Sequence, residues 1–125
     1  MTPARKVYYS DDGGYGEHFK AIGQKFGSFD LMLGENGQYN MAWHAIHMLP
    51  EETAQAAVDV GAKMLLPAHS GKFALSRHPW QEPYQRLSQA SQGKGYKLVT
   101  PEIGEAAYIA GTQAAGFDNW WERLQ

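Results

Sequence analysis

Short β-forming runs alternate with segments of helical spacing along most of this chain, and that alternation constrains the fold more than any other feature. Residues 6–10 are rich in β formers and are stopped by Asp11, Asp12, Gly13 and Gly14, which predicts a strand ending in a turn. After a polar loop, Phe19, Ile22 and Phe26 fall at the spacing of one helix face. Gly27 stands where a left-handed cap would close that helix. Residues 29–33 form a second apolar run, whereas residues 34–48 follow neither the helix nor the strand period, and an irregular loop of that length predicts function. Pro50, Glu51 and Glu52 predict a first helical turn: proline loses no hydrogen bond there, and the carboxylates sit at the positive end of the helix dipole. Ala54, Ala57, Val58 and Gly61 give that helix a small-residue face suited to packing on a sheet.

Residues 63–67 predict a buried strand running directly into Ala68, His69, Ser70 and Gly71. Residues 72–75 predict a further short strand, 82–92 a surface helix, 97–100 and 105–109 two more strands, and 117–124 an aromatic terminal segment. Strands and helices in this order predict an α/β sheet covered by helices, in one domain over residues 1–125.

In such sheets ligands gather at the carboxyl ends of the strands. The turns expected there carry Asp12 and His69, the two side chains best placed to hold a metal. The chain has no cysteine, so any metal must be held by His, Asp or Glu. An aspartate after a strand also serves as a plain turn former, which is the preferred reading of Asp11 and an open one for Asp12. Strand alternation would turn only one of the pair toward a site. His44 and His47 are three residues apart and would share a face if that segment were helical, but its pattern is irregular. His18 and His78 read as surface or core residues. Ser70 beside His69 raises a serine-hydrolase alternative, against which stands the absence of a Gly-x-Ser-x-Gly elbow.

Eleven basic and 13 acidic residues give a formal charge of -2 with no basic run, so nucleic acid is not an expected partner. No apolar stretch approaches the roughly 20 residues needed to cross a bilayer. The residues after Met1 form no signal-peptide core, and the expectation is a cytoplasmic chain without a transmembrane segment.

Tyr8 to Gly16, His18-Phe19 and Ile22-Gly23 resemble the Gly-Asp-Ser/Thr-Gly-Tyr segment of one branch of metallo-β-lactamase-fold hydrolases. That branch includes N-acyl-phosphatidylethanolamine-hydrolysing phospholipase D and RomA-like proteins. The resemblance continues in order through Phe29-Asp30-Leu31, Asn36 to Tyr39, His47-Met48 with Pro50 to Ala54, Leu66 to Phe73, and Trp80 with Glu82-Pro83. It implies the C-terminal half of an αββα sandwich, with a mixed sheet and flanking helices. It also implies two zinc ions, with Asp12 as the bridging carboxylate, His69 as a ligand of the second ion, and His47 as a catalytic group beside the substrate phosphate. The implied substrates are phosphodiester-like or related esters, including lipid-like ones.

The chain departs from this pattern at three points. Asp11 stands in place of a glycine, Ser70 in place of a frequent tryptophan, and Leu49 is a poor helix cap. The His-x-His-x-Asp-His motif that supplies the remaining ligands does not occur in these 125 residues. The expectation is therefore a hydrolase fragment with little activity alone. The alternative is a non-catalytic binding or assembly module, a homodimer or one paired with a chain bearing the missing half.

Overall fold

In a computed structural model that describes residues 4–70, 76–108 and 117–124, the chain folds as successive β–α units. The order is β1 (Val7–Tyr9), α1 (His18–Phe26), β2 (Leu31–Glu35), α2 (Pro50–Asp59), β3 (Met64–Ala68), α3 (Glu82–Ala90) and β4 (Lys97–Leu98). The strands lie in one sheet in the order β1-β2-β3-β4, and every pairing is parallel. A mixed sheet was expected; among the described residues no antiparallel pair occurs. Each pair of neighbouring strands is joined by a helical crossover, which is what parallel neighbours require.

The register explains the core. Tyr8 pairs with Met32, Met32 with Leu65 and Leu65 with Leu98, so these four side chains form one row across the sheet. That row packs with Phe19 of α1, Ala54, Ala56 and Ala57 of α2, and Leu87 of α3. Each large apolar side chain buried there contributes roughly 1.5–3 kcal/mol. Crossovers of the usual right-handed sense, stepping always toward the next strand, place their helices on one face, and the shared core agrees. The next row, Tyr9, Leu33 and Leu66, points to the other face; Tyr9 is exposed and the two leucines are half-buried. A satellite cluster of Trp80, Tyr84, Trp120 and Trp121 closes the α3 side.

Four local expectations change. The second strand begins at Leu31, because Phe29 makes only an isolated bridge to Ala62, and it runs on through Gly34 and Glu35, which pair with Pro67 and Ala68. Gly27 has a positive φ of 75° but an extended ψ of -162°, so α1 opens outward instead of closing in a left-handed helical cap. Residues 105–108 form no strand: Glu105 N–H donates to Glu102 O (2.9 Å) around Gly104, making a tight turn. The strand expected at 72–75 lies outside the described residues, as does Ile109. Helix α2 begins at Pro50 as expected, and Glu52 compensates for the weak cap by accepting the Leu49 N–H at 2.9 Å. Val58 faces out, and Ala56 takes its place in the packing.

Candidate metal centre

The polar residues of the site come from the carboxyl ends of β1, β2 and β3. Beyond β1, Asp12 brings Oδ1 to 3.2 Å from His69 Nδ1, which follows β3. His47 comes from the loop after β2, and its ring stacks on that of His69 with centroids 5.6 Å apart. Donor atoms of Asp12, His47 and His69 all lie within 4.8 Å of one another. The structure thus brings together the three residues singled out from sequence. It leaves the others aside: His44 is exposed with Nδ1 at Met41 O, His18 lies on Phe19, and His78 stacks on Tyr39. Ser70 has a buried hydroxyl with no partner among the described residues, so no imidazole activates it.

Two backbone features serve the site. Asp11 and His69 both take positive φ, 55° and 65°, and among the described residues they are the non-glycine residues that do so. For an L-residue this costs about 1–2 kcal/mol. It occurs at Asp11, where the related pattern has glycine, and at His69, whose imidazole lies beside Asp12 and His47. Close approach is the second feature. A Cβ on Gly37 would fall 1.8 Å from His69 O, and one on Gly14 would fall 2.4 Å from Ala45 O. Only glycine lets the loops after β1, β2 and β3 converge this tightly.

Glu35, at the end of β2, was not anticipated. It is 1% exposed, yet it carries a carboxylate. Oε2 accepts the Met48 N–H at 2.8 Å, Oε1 faces His47 Nδ1 at 3.1 Å, and His69 Nδ1 lies 3.6 Å away, beyond hydrogen-bonding range. The residue itself is pinned, because its N–H donates to Ser10 Oγ (2.9 Å) and its carbonyl accepts from Thr53 Oγ1 (2.6 Å). The legible cue is a carboxylate at the end of an apolar run: such a group is buried only when paired.

Outer contacts hold the loops. The Tyr15 hydroxyl donates to Asp59 at the end of α2, and that bond, with burial and the Asp59 charge adding to it, pushes the phenol up to about 12. The Tyr39 phenol is raised further by burial and by its bond to Glu82. Arg86 lies 4.9 Å over the Tyr39 ring and grips Glu51 through two bonds of 2.9 and 2.7 Å. Trp43 Nε1 donates to Gln38 O at 2.8 Å, folding the 41–47 segment back on its own loop.

A carboxylate and imidazoles make a donor set suited to a divalent ion. The fit is also metric: tetrahedral bonds of roughly 2.0 Å put ligand atoms about 3.3 Å apart, close to the 3.2 Å between Asp12 and His69. The architecture and the site define the class, an α/β protein with a candidate metal centre at the carboxyl ends of parallel strands.

Comparison with known proteins makes this specific. Residues 1–70 match the model of the beta-lactamase superfamily domain, and the chain belongs to that family. It is 58% identical over 72 residues to the outer membrane protein RomA of Klebsiella pneumoniae, covering 58% of this chain and 54% of RomA. It is 39% identical over 124 residues to an uncharacterised Mycobacterium bovis protein, covering 97% of this chain and 33% of that one. The mitochondrial N-acyl-phosphatidylethanolamine-hydrolyzing phospholipase D of Saccharomyces cerevisiae is 31% identical over 105 residues, 79% of this chain and 22% of its own length. Among solved structures, the metallo-beta-lactamase fold protein YhfI of Bacillus subtilis shares the fold, with a TM-score of 0.55 at 22% identity over 77% of this chain and 36% of that one. The chain thus spans about half the length of RomA and from 22% to 36% of the others. The fold family implies a metal.

Proposed function

We propose that this chain contributes part of the active centre of a metal-dependent hydrolase acting on phosphodiester-like or related ester substrates. The observation that carries this reading is the meeting of Asp12, His47 and His69 at the ends of parallel strands, with Asp12 and His69 at ligand–ligand spacing. The names of the yeast relative and of a Caenorhabditis elegans phospholipase D relative support an ester-cleaving chemistry. Asp12 and His69 would hold zinc; the remaining ligands of a two-ion centre would come from residues beyond these 125. Zinc supplies Lewis-acid polarisation of the phosphoryl group and activation of water.

The chain's own residues do the rest. The Asp12 carboxylate is more than half exposed, so it has an oxygen available to a second ion. His69 is held rigid by its position at the end of β3 and by the backbone of Gly37 pressed against it. His47, largely buried, lies against the His69 ring with an imidazole able to hydrogen-bond a phosphate or move a proton. Helix α2 starts three residues after His47, and its amino end favours an anion.

The test is a zinc titration of the tag-free chain. Weak, saturable binding is expected, and Asp12→Ala with His69→Ala should abolish it, while His47→Ala should change it by no more than about threefold. Binding that survives the double substitution sinks the ligand assignment. A loss in His47→Ala as large as in the double variant makes His47 a ligand instead of a catalytic group.

A further inference from the structure

The role just assigned to His47 leaves open which ring nitrogen meets the substrate, and the geometry around Glu35 bears on that. Opposite an ionised Glu35, which has no proton to give, the nitrogen facing it at 3.1 Å is one that carries hydrogen. That nitrogen is Nδ1. The second carboxylate oxygen is already committed to the Met48 N–H, one residue further on. Glu35 therefore grips a ring and a main-chain group of consecutive residues at once, from a strand end that is itself anchored by Ser10 and Thr53.

We propose that Glu35 is a positioning residue: its two oxygens hold the His47 Nδ1–H and the Met48 N–H together, fixing neutral His47 in the Nδ1–H tautomer with Nε2 as its acceptor. This rests on the proposed function, and it narrows the role of His47 there. A neutral ring with Nε2 bare takes a proton from a water or hydroxyl beside it; it has none to offer a phosphate oxygen. Burial strengthens the grip, because a carboxylate this deeply desolvated gains from each donor that stays in place. Glutamine cannot reproduce it. An amide has one acceptor oxygen for two donors, and its NH₂ group would confront either His47 Nδ1–H or Met48 N–H.

The experiment is side-chain nitrogen NMR of the intact chain, stripped of metal with a chelator and held at pH 8, with the His47 signals assigned by their absence in His47→Ala. Wild type is expected to show His47 protonated at Nδ1 and bare at Nε2. Glu35→Gln is expected to move it toward the Nε2–H form that free histidine prefers, and Glu35→Asp to restore part of the wild-type signal. Exchange of the Met48 amide should quicken about tenfold or more in Glu35→Gln, as for loss of a hydrogen bond to a charged acceptor. An Nε2–H tautomer in wild type overturns the proposal even if no Glu35 variant folds. So does a Glu35→Gln protein that folds and leaves both the tautomer and the Met48 amide unchanged. Because the measurement is made without metal, its failure is separate from a failure of Asp12 and His69 to bind zinc.

Discussion

The two ends of the sheet solve the same backbone problem with different residues. At the amino end of β3, the turn that leads out of α2 needs a positive φ and uses Gly61 at 72°. At the carboxyl ends, Asp11 and His69 take φ of 55° and 65° and keep their side chains. The first solution is free of strain; the second accepts it at His69 and at the residue before Asp12, whose carboxylate lies 3.2 Å from the His69 ring. The amino end is closed by an apolar bridge between Phe29 and Ala62, whereas the carboxyl end buries Glu35. One end is apolar, and the other gathers the clustered polar side chains of Asp12, His47 and His69.

The sharpest way to break this contrast is at Gly37, where the carboxyl-end loops touch. Gly37→Ala forces a methyl into backbone and should cost about 3 kcal/mol or more in denaturant unfolding. A cost near zero would mean that the loops do not converge. At His69 the comparison is between two replacements that lose the same imidazole. His69→Gly should be more stable than His69→Ala by about 1 kcal/mol, because only glycine is unstrained at φ 65°. The opposite order would place His69 in ordinary backbone. At the amino end Gly61→Ala should cost about 1 kcal/mol, all of it from φ, since the new methyl meets only Ser28 at 3.4 Å.

The smallest effect concerns Tyr15. Its folded pKa lies above the unfolded value of 10.0, so its bond to Asp59 adds stability in full below pH 10 and loses it as pH rises through about 12. The absorbance difference between wild type and Tyr15→Phe should therefore titrate near 12. A midpoint at 10 would mean the loop after β1 is not tied to α2.

What could be read from the sequence follows the range of the interactions involved. The helices were legible because period and end signals are local: Phe19 with Ile22 marks α1, and Pro50 with two glutamates marks α2. Asp12 and His69 were legible because each follows a β-forming run at a turn. The positive φ of Asp11 falls where the related pattern has glycine. The start of β2 was displaced because parallel register is set by β3, thirty residues on. Glu35 was missed because its pairing with His47 and Met48 depends on the path of the 36–48 loop. That path has no period; it is shaped by Gly14 against Ala45 and Gly37 against His69.

The row of Tyr9, Leu33 and Leu66 gives the fold a further property. Among the described residues the helices leave this row on the opposite face, and a binder there that recognised only the folded chain would draw the folding equilibrium with it. At a hundredfold excess over its Kd that pull is about 2.7 kcal/mol, a substantial share of what holds a small domain together. For such a face the melting temperature becomes a function of concentration, and stability a property of the mixture as much as of the polypeptide.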